Sequence, residues 1–198
     1  LELLDSNVEI NLVETAVRLL KSVRWRAKAT TLLPRLCQLV GTDCAREAVA
    51  DAIFKVMKAG GDIGDVGGHL CSLGRGAGSQ ATKLAVGRVF AAAVSAEGGL
   101  RVAASDEVVD VLTLLARDAE GGALQRELCT AVCGIAVSED VRRGVALEKL
   151  RDSLASLGQV VRSDELCAMV GGAIVYAVIF DVILMAITVM IFSRRNFK

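Results

Sequence analysis

The sequence predicts an all-α protein of stacked helical repeats followed by a single transmembrane helix, and three observations carry that expectation. First, 53% of residues are hydrophobic but only 4% aromatic, with one proline in 198 positions. An apolar mass of Ala, Val, Leu and Ile favours helix over sheet. Second, Leu-x-x-Leu recurs at Leu70/Leu73, Leu112/Leu115 and Leu154/Leu157, a step of 42 residues each time. Third, the 27 residues from Leu166 to Phe192 carry one charged side chain, Asp181. The expected organisation is a repeat domain over 1–162, a membrane helix over 163–193 and a basic tail over 194–198.

Taken in order, NVEINLVETAVRLLKS puts Leu12, Val13, Ala16, Val17 and Leu20 on one helix face, with Ser6 and Glu9 as a capping box. Pro34 restarts or kinks the helix that follows. The Gly-dense stretch from Gly60 to Gly78 reads as an insertion that lengthens the first step of the repeat. In DEVVDVLTLLARD, residues Val108, Val111, Leu112 and Leu115 share a face. Ser105 before Asp106 and Glu107, and Ser138 before Glu139 and Asp140, each offer a hydroxyl cap and acid in a first turn. Gly121 and Gly122 separate one helix from the next. A second element, VSAEGGLRVA at 94–103, returns as VSEDVRRGVA at 137–146, a step of 43.

A unit of about 42 residues with two or three helices has the size of an armadillo or HEAT repeat. The segment from about 79 to 158, SQATKLAVGRVFAAAVSAEGGLRVAASDEVVDVLTLLARDAEGG and LQRELCTAVCGIAVSEDVRRGVALEKLRDSLASL, resembles the armadillo family most closely. That resemblance implies a right-handed superhelix with a protein-binding groove. The groove-lining asparagine of such repeats is replaced in this neighbourhood by Gly134 and Ala92, so peptide capture by an asparagine ladder is not expected.

The end of the chain has a different character. ELCAMVGGAIV at 165–175 echoes ELCTAVCGIAV at 127–137, then runs on through VILMAITVMIF. Even Ile174 to Phe192 alone is 19 residues, about 28 Å of helix, close to what a bilayer core needs. Tyr176 at one end and Arg194, Arg195 and Lys198 at the other suit the two interfaces. The echo suggests that the last repeat helix extends into the bilayer.

Asp181 is the sharpest single residue. A carboxylate within a span costs roughly 2.5–3.5 kcal/mol on insertion scales and is normally paired or protonated. Ala173, Ala177 and Asp181 fall at i, i+4 and i+8, with Ala168 and Gly172 beside that stripe. Small residues let another helix approach, and the acid gives it a bonding partner, so these five positions are the expected helix-packing face.

Chemistry-bearing motifs are thin. The six cysteines contain no CxxC pair, and His69 is the lone histidine, so neither a zinc site nor any cofactor is expected. Cys129 and Cys133 read as small buried hydrophobes on a packed helix face, and all six cysteines as reduced or simply buried. GRGAG at 74–78 follows a helical pattern and lacks a following Gly-Lys-Ser/Thr, unlike a phosphate loop. Trp25 between Arg24 and Arg26 reads as core or partner contact. With 23 basic and 23 acidic residues and no basic stripe, nucleic acid is not an expected partner. The expected protein is non-catalytic: a structural or accessory subunit of a larger membrane complex, touching lipid and other subunits. It would be integral and single-pass, with a mitochondrial membrane suggested by the short basic tail. A tail-anchored adaptor and an ion- or proton-handling role for Asp181 are the other uses the sequence allows.

Overall fold

A computed structural model of the chain describes residues 11, 35–38, 40–59, 67–95, 105–138 and 145–196. Among these the secondary structure is all helical, with no strand. Beyond a helical turn at 35–38, the elements are α1 (Asp43–Lys58), α2 (Gly67–Arg75), α3 (Gln80–Ser95), α4 (Asp106–Arg117), α5 (Gly122–Val137), α6 (Leu147–Val160) and α7 (Asp164–Asn196). The expectations placed on Ser6, Glu9, Leu12 to Leu20, Trp25 and Pro34, and on a helix after Ser138, lie outside the described residues.

Local chemistry starts and stops these helices where the sequence says it should. Thr42 caps α1 by accepting from the Ala45 amide at 3.4 Å. Ser105 does the same for α4 through Val108 at 3.3 Å, and Ser79 caps α3 through Thr82 at 3.1 Å. Each hydroxyl satisfies an amide that the helix itself leaves unpaired. Before α5 the chain turns through Gly121 at φ 93°, a conformation that only glycine adopts without strain.

The helices pack by alternation. α1 lies on α3, α3 on α5 and α5 on α7, while α2 lies on α4 and α4 on α6. One continuous core fills the space between these two rows. The three Leu-x-x-Leu pairs stand on α2, α4 and α6, and all six leucines are buried. Within the Gly-dense stretch, the helical pattern at Leu70 to Leu73 lies on helix α2 over residues 67–75, and the expected insertion falls partly on 60–66, outside the described residues. Glycine disfavours helix by about 1 kcal/mol per residue, but buried Leu70, Cys71 and Leu73 hold this segment against α4.

The polar ties between units follow one plan. Asp43, opening α1, accepts the amides of Gly78 and Ser79 ahead of α3, at 3.0 and 2.6 Å. Gln80, opening α3, donates to the Asp118 carbonyl ahead of α5 at 2.9 Å. Gln125, in the first turn of α5, donates to the Val160 carbonyl ahead of α7 at 3.3 Å. In each case the start of one helix binds the backbone that leads into the next helix of the same row. The odd-numbered helices therefore run in the same direction. In the other row, Asp106 and Asp110 of α4 bind the Ala146 amide and Lys149 of α6 at 2.8 and 2.6 Å, so these two helices are parallel as well. The Asp43 contact also answers the GRGAG motif: the amides that could have cradled a phosphate hold the chain's own carboxylate.

Close approach in the even row needs a glycine. A Cβ on Gly74 would lie 2.5 Å from Val111 Cγ1, and Val111 is buried with a stiff β-branched side chain. Nothing stands within 4 Å of the corresponding atom on Gly68 of the same helix. Gly74→Ala is expected to destabilise the full chain by about 1–2 kcal/mol, overpacking outweighing the helix propensity gained, whereas Gly68→Ala is neutral or stabilising. Urea unfolding in mild detergent distinguishes the two, and equal effects would remove the close α2–α4 contact.

Asp43 gives a pH-dependent counterpart. Its carboxyl is held below its ordinary 3.8, first by the Gly78 amide and then by the Ser79 amide and Arg46, against the opposing effect of burial. A depressed folded value means that the stabilisation is complete above the unfolded value and is lost as pH falls through the folded one. The side chain is 34% exposed, so screening limits the Arg46 ion pair and the amide bonds carry most of the effect. Asp43→Asn should cost about 1 kcal/mol at pH 7, and the gap to the parent chain should close well below pH 3.8. A gap that is constant with pH would contradict this account.

Candidate membrane-spanning helix

α7 follows a three-residue connection, 161–163. The Cys167 amide donates to the Ser163 carbonyl at 2.8 Å and closes the first turn. Asp164 and Glu165 sit in that turn, where the helix dipole favours negative charge. Leu166, Val170 and Ala173, at i, i+4 and i+7, are each 3% exposed and face the neighbouring helices. The Cys133 thiol lies 3.8 Å from the Met169 carbonyl, and Gly158 approaches Val170. Through this stripe the first ten residues of α7 pack on the helical domain.

The echo noted in the sequence encodes this face. Leu128, Val132 and Ile135 of α5 align with Leu166, Val170 and Ala173 of α7 at a step of 38 residues, and all six are buried. The same pattern that seats α5 against α3 seats α7 against α5.

Beyond Ala173 the helix continues without a break through Asn196 and leaves the domain. It is the one helix among the described residues long and apolar enough to cross a membrane, and none of its most apolar window is buried among the described residues. Fourteen large apolar side chains between Ile174 and Phe192 are exposed, among them Met185 at 68% and Val189 at 63%. Shielding such side chains from water is worth about 1.5–3 kcal/mol each, so even at half value the total is roughly 10–20 kcal/mol. That exceeds the roughly 3 kcal/mol cost of one carboxylate within lipid. Thr188 donates its hydroxyl to the Leu184 carbonyl at 2.8 Å, which satisfies its polar group within the helix as a hydrocarbon environment requires.

The expected packing positions divide. Ala173 is buried against the chain's own helices, Ala177 is half-buried, and Ala168 and Gly172 are exposed. Tyr176 is 42% exposed, one turn past the point where the helix departs. Asp181 lies on the helix seven residues beyond Ile174, about 10 Å along the axis. The side chains of Asp181, Arg194 and Arg195, and the whole of Lys198, lie outside the described residues. The segment expected as a membrane helix over 163–193 contains Leu166, Val170 and Ala173, which are buried against the rest of the chain.

No arrangement for metal binding is present among the described residues. The chain matches no family model, no curated protein and no solved structure in the comparisons made. The reading of function therefore rests on α7 and the helical domain that carries it.

The cysteines report on this packing. Cys37, Cys71, Cys129 and Cys133 are buried, whereas Cys44 and Cys167 are exposed. Burial pushes the first three to about 12, 12 and 11 and Cys133 to about 12, so little reactive thiolate forms at neutral pH. Brief maleimide treatment of the folded full chain should add two labels, at Cys44 and Cys167, and denaturant should raise the number to six. Fast labelling of Cys129 or Cys133 would show that α7 does not seat on α5.

Proposed function

We propose that this chain is a non-catalytic, single-pass membrane protein: a structural or accessory subunit that joins a larger membrane complex. The observation that carries the reading is α7, whose first turns close the core of the helical domain while the following twenty residues offer their apolar surface to no part of that domain. Lipid is the solvent that suits such a surface.

The helical domain, on this reading, is an armadillo/HEAT-type stack. Support comes from the 42-residue step of the buried leucine pairs, the packing of alternate helices and the start-to-start ties at Asp43, Gln80 and Gln125. Stacked repeats contact only their neighbours and leave extended side faces for other proteins, which suits a scaffold. Along α7, Ala177 and Asp181 within the bilayer, with Ala168 and Gly172 on the turns just before it, would meet a partner helix. A mitochondrial membrane belongs to this reading, suggested by Arg194, Arg195 and Lys198 directly after the apolar stretch.

One experiment addresses both halves of the proposal. The full chain should float with phosphatidylcholine vesicles and resist alkaline extraction, while a chain ending at residue 175 stays in solution with its two-thiol labelling pattern intact. Expressed in cells and gently solubilised, the full chain should migrate in a large assembly, and Asp181→Ala should reduce that size without loss of flotation. A full chain that is monodisperse in detergent-free buffer ends the anchor reading. An assembly indifferent to Asp181→Ala ends its docking role.

A further inference from the structure

Where α7 takes root in the helical domain, the geometry points to a redox-active pair: we propose that Cys129 of α5 and Cys167 of α7 form a reversible disulfide that locks the first turns of α7 onto α5.

Three positions on α5 fix where Cys129 faces. Gln125, Cys129 and Cys133 fall at i, i+4 and i+8 and share one side of the helix. Gln125 reaches the Val160 carbonyl at 3.3 Å, and the Cys133 thiol reaches the Met169 carbonyl at 3.8 Å. Cys129, midway between them, therefore faces the chain midway between Val160 and Met169, which is the first turn of α7. Cys167 stands at the end of that turn, and its thiol leans back to the Val161 carbonyl at 3.7 Å. The two sulfurs are thus brought to the same level on facing helices. Their proximity is felt in ionisation as well: burial first, and Cys167 next, push the Cys129 thiol up to about 11.

Other pairings fit less well. Cys133 sits a full turn further along α5, opposite Met169, while the Cys167 thiol points the other way. Cys129 and Cys133 are four apart on one helix, where Cβ atoms lie about 5–6 Å from each other. A disulfide spans only about 3.5–4.5 Å between Cβ atoms.

Exposure sets the order of events. Cys167 is open to solvent and Cys129 is wholly covered, so an oxidant meets Cys167 first. With a small disulfide such as glutathione disulfide, the Cys167 thiolate attacks one sulfur and expels one glutathione thiolate, leaving a mixed disulfide. Cys129 then gives up its proton and attacks Cys167 Sγ, and the second glutathione thiolate leaves. Two protein thiols are oxidised, one glutathione disulfide is reduced, and both protons end on the two released glutathiones. A neighbour held in place acts at high effective concentration, which offsets the small thiolate fraction of Cys129. The ring that closes contains all of α6, so the link also constrains the unfolded chain.

A full chain carrying Cys44→Ser is oxidised with glutathione disulfide in mild detergent, digested without reduction and mapped by mass spectrometry. Expected are a peptide linked through Cys129 and Cys167, loss of the fast maleimide site, its return with dithiothreitol, and a higher urea midpoint for the oxidised form. Cys133→Ala should leave all of these unchanged, and Cys129→Ala should halt at the first step with glutathione held on Cys167. A chain with Cys129 intact that also halts there overturns the proposal, as does a link from Cys167 to Cys133 or to a second copy. An oxidised form no more resistant to urea than the reduced one overturns the locking role. Should Cys129→Ala fail to fold, the peptide map of the chain that retains Cys129 decides the matter alone.

Discussion

The structure depends on one unbroken helix serving two environments. α7 contributes Leu166, Val170 and Ala173 to a protein core and, without a change of backbone geometry, exposes Ile174 to Phe192 as a surface that water does not suit. A buried stripe at i, i+4 and i+7 is what a helix offers to neighbouring helices. An apolar surface on all sides is what it offers to lipid. The switch between the two takes place within one turn.

The helical domain supplies the seat. Its core is one continuous cluster that includes Leu70, Leu73, Leu112, Leu115, Leu154 and Leu157 from α2, α4 and α6 and the facing residues of α1, α3, α5 and α7. Polar groups keep the stack in register without burying isolated charge. Lys83 is 9% exposed yet reaches the exposed carboxylate of Asp118 at 3.3 Å. Thr82, fully buried, meets both the Ser79 hydroxyl and the Asp43 carbonyl. Buried polar groups that find partners cost little and pin geometry, and here they pin each unit to the one before.

Much of this was legible in the sequence because repetition makes packing visible. The 42-residue step located three buried leucine pairs, Ser105 and Gly121 marked helix boundaries, and the echo between 127–137 and 165–175 located a shared packing face. Other features were obscured. The extent of α2 was not legible beyond the helical pattern at Leu70 to Leu73, since the residues that crowd Gly74 are Val86, Val111 and Leu115, which are distant in sequence. Hydropathy hid the boundary within α7, because Leu166, Val170 and Ala173 are as apolar as the residues that follow. Only the location of α5 shows which of them face protein. The ties of Asp43, Gln80 and Gln125 carry no local signature at all, since each depends on a backbone group some 35–38 residues away.

With α7 read as a membrane span, the unbroken helix through Ala173 has a mechanical consequence. A helix whose apolar length exceeds the local bilayer thickness tilts to fit, commonly by about 20°. With no hinge, that tilt is transmitted whole to the domain. Three interhelical spacings of about 10 Å each separate α7 from α1, so a 20° lean at the root shifts the α1 edge by about 10 Å relative to the lipid plane. The stack then acts as a pointer, converting a few ångströms of variation in membrane thickness into a larger displacement at its free edge.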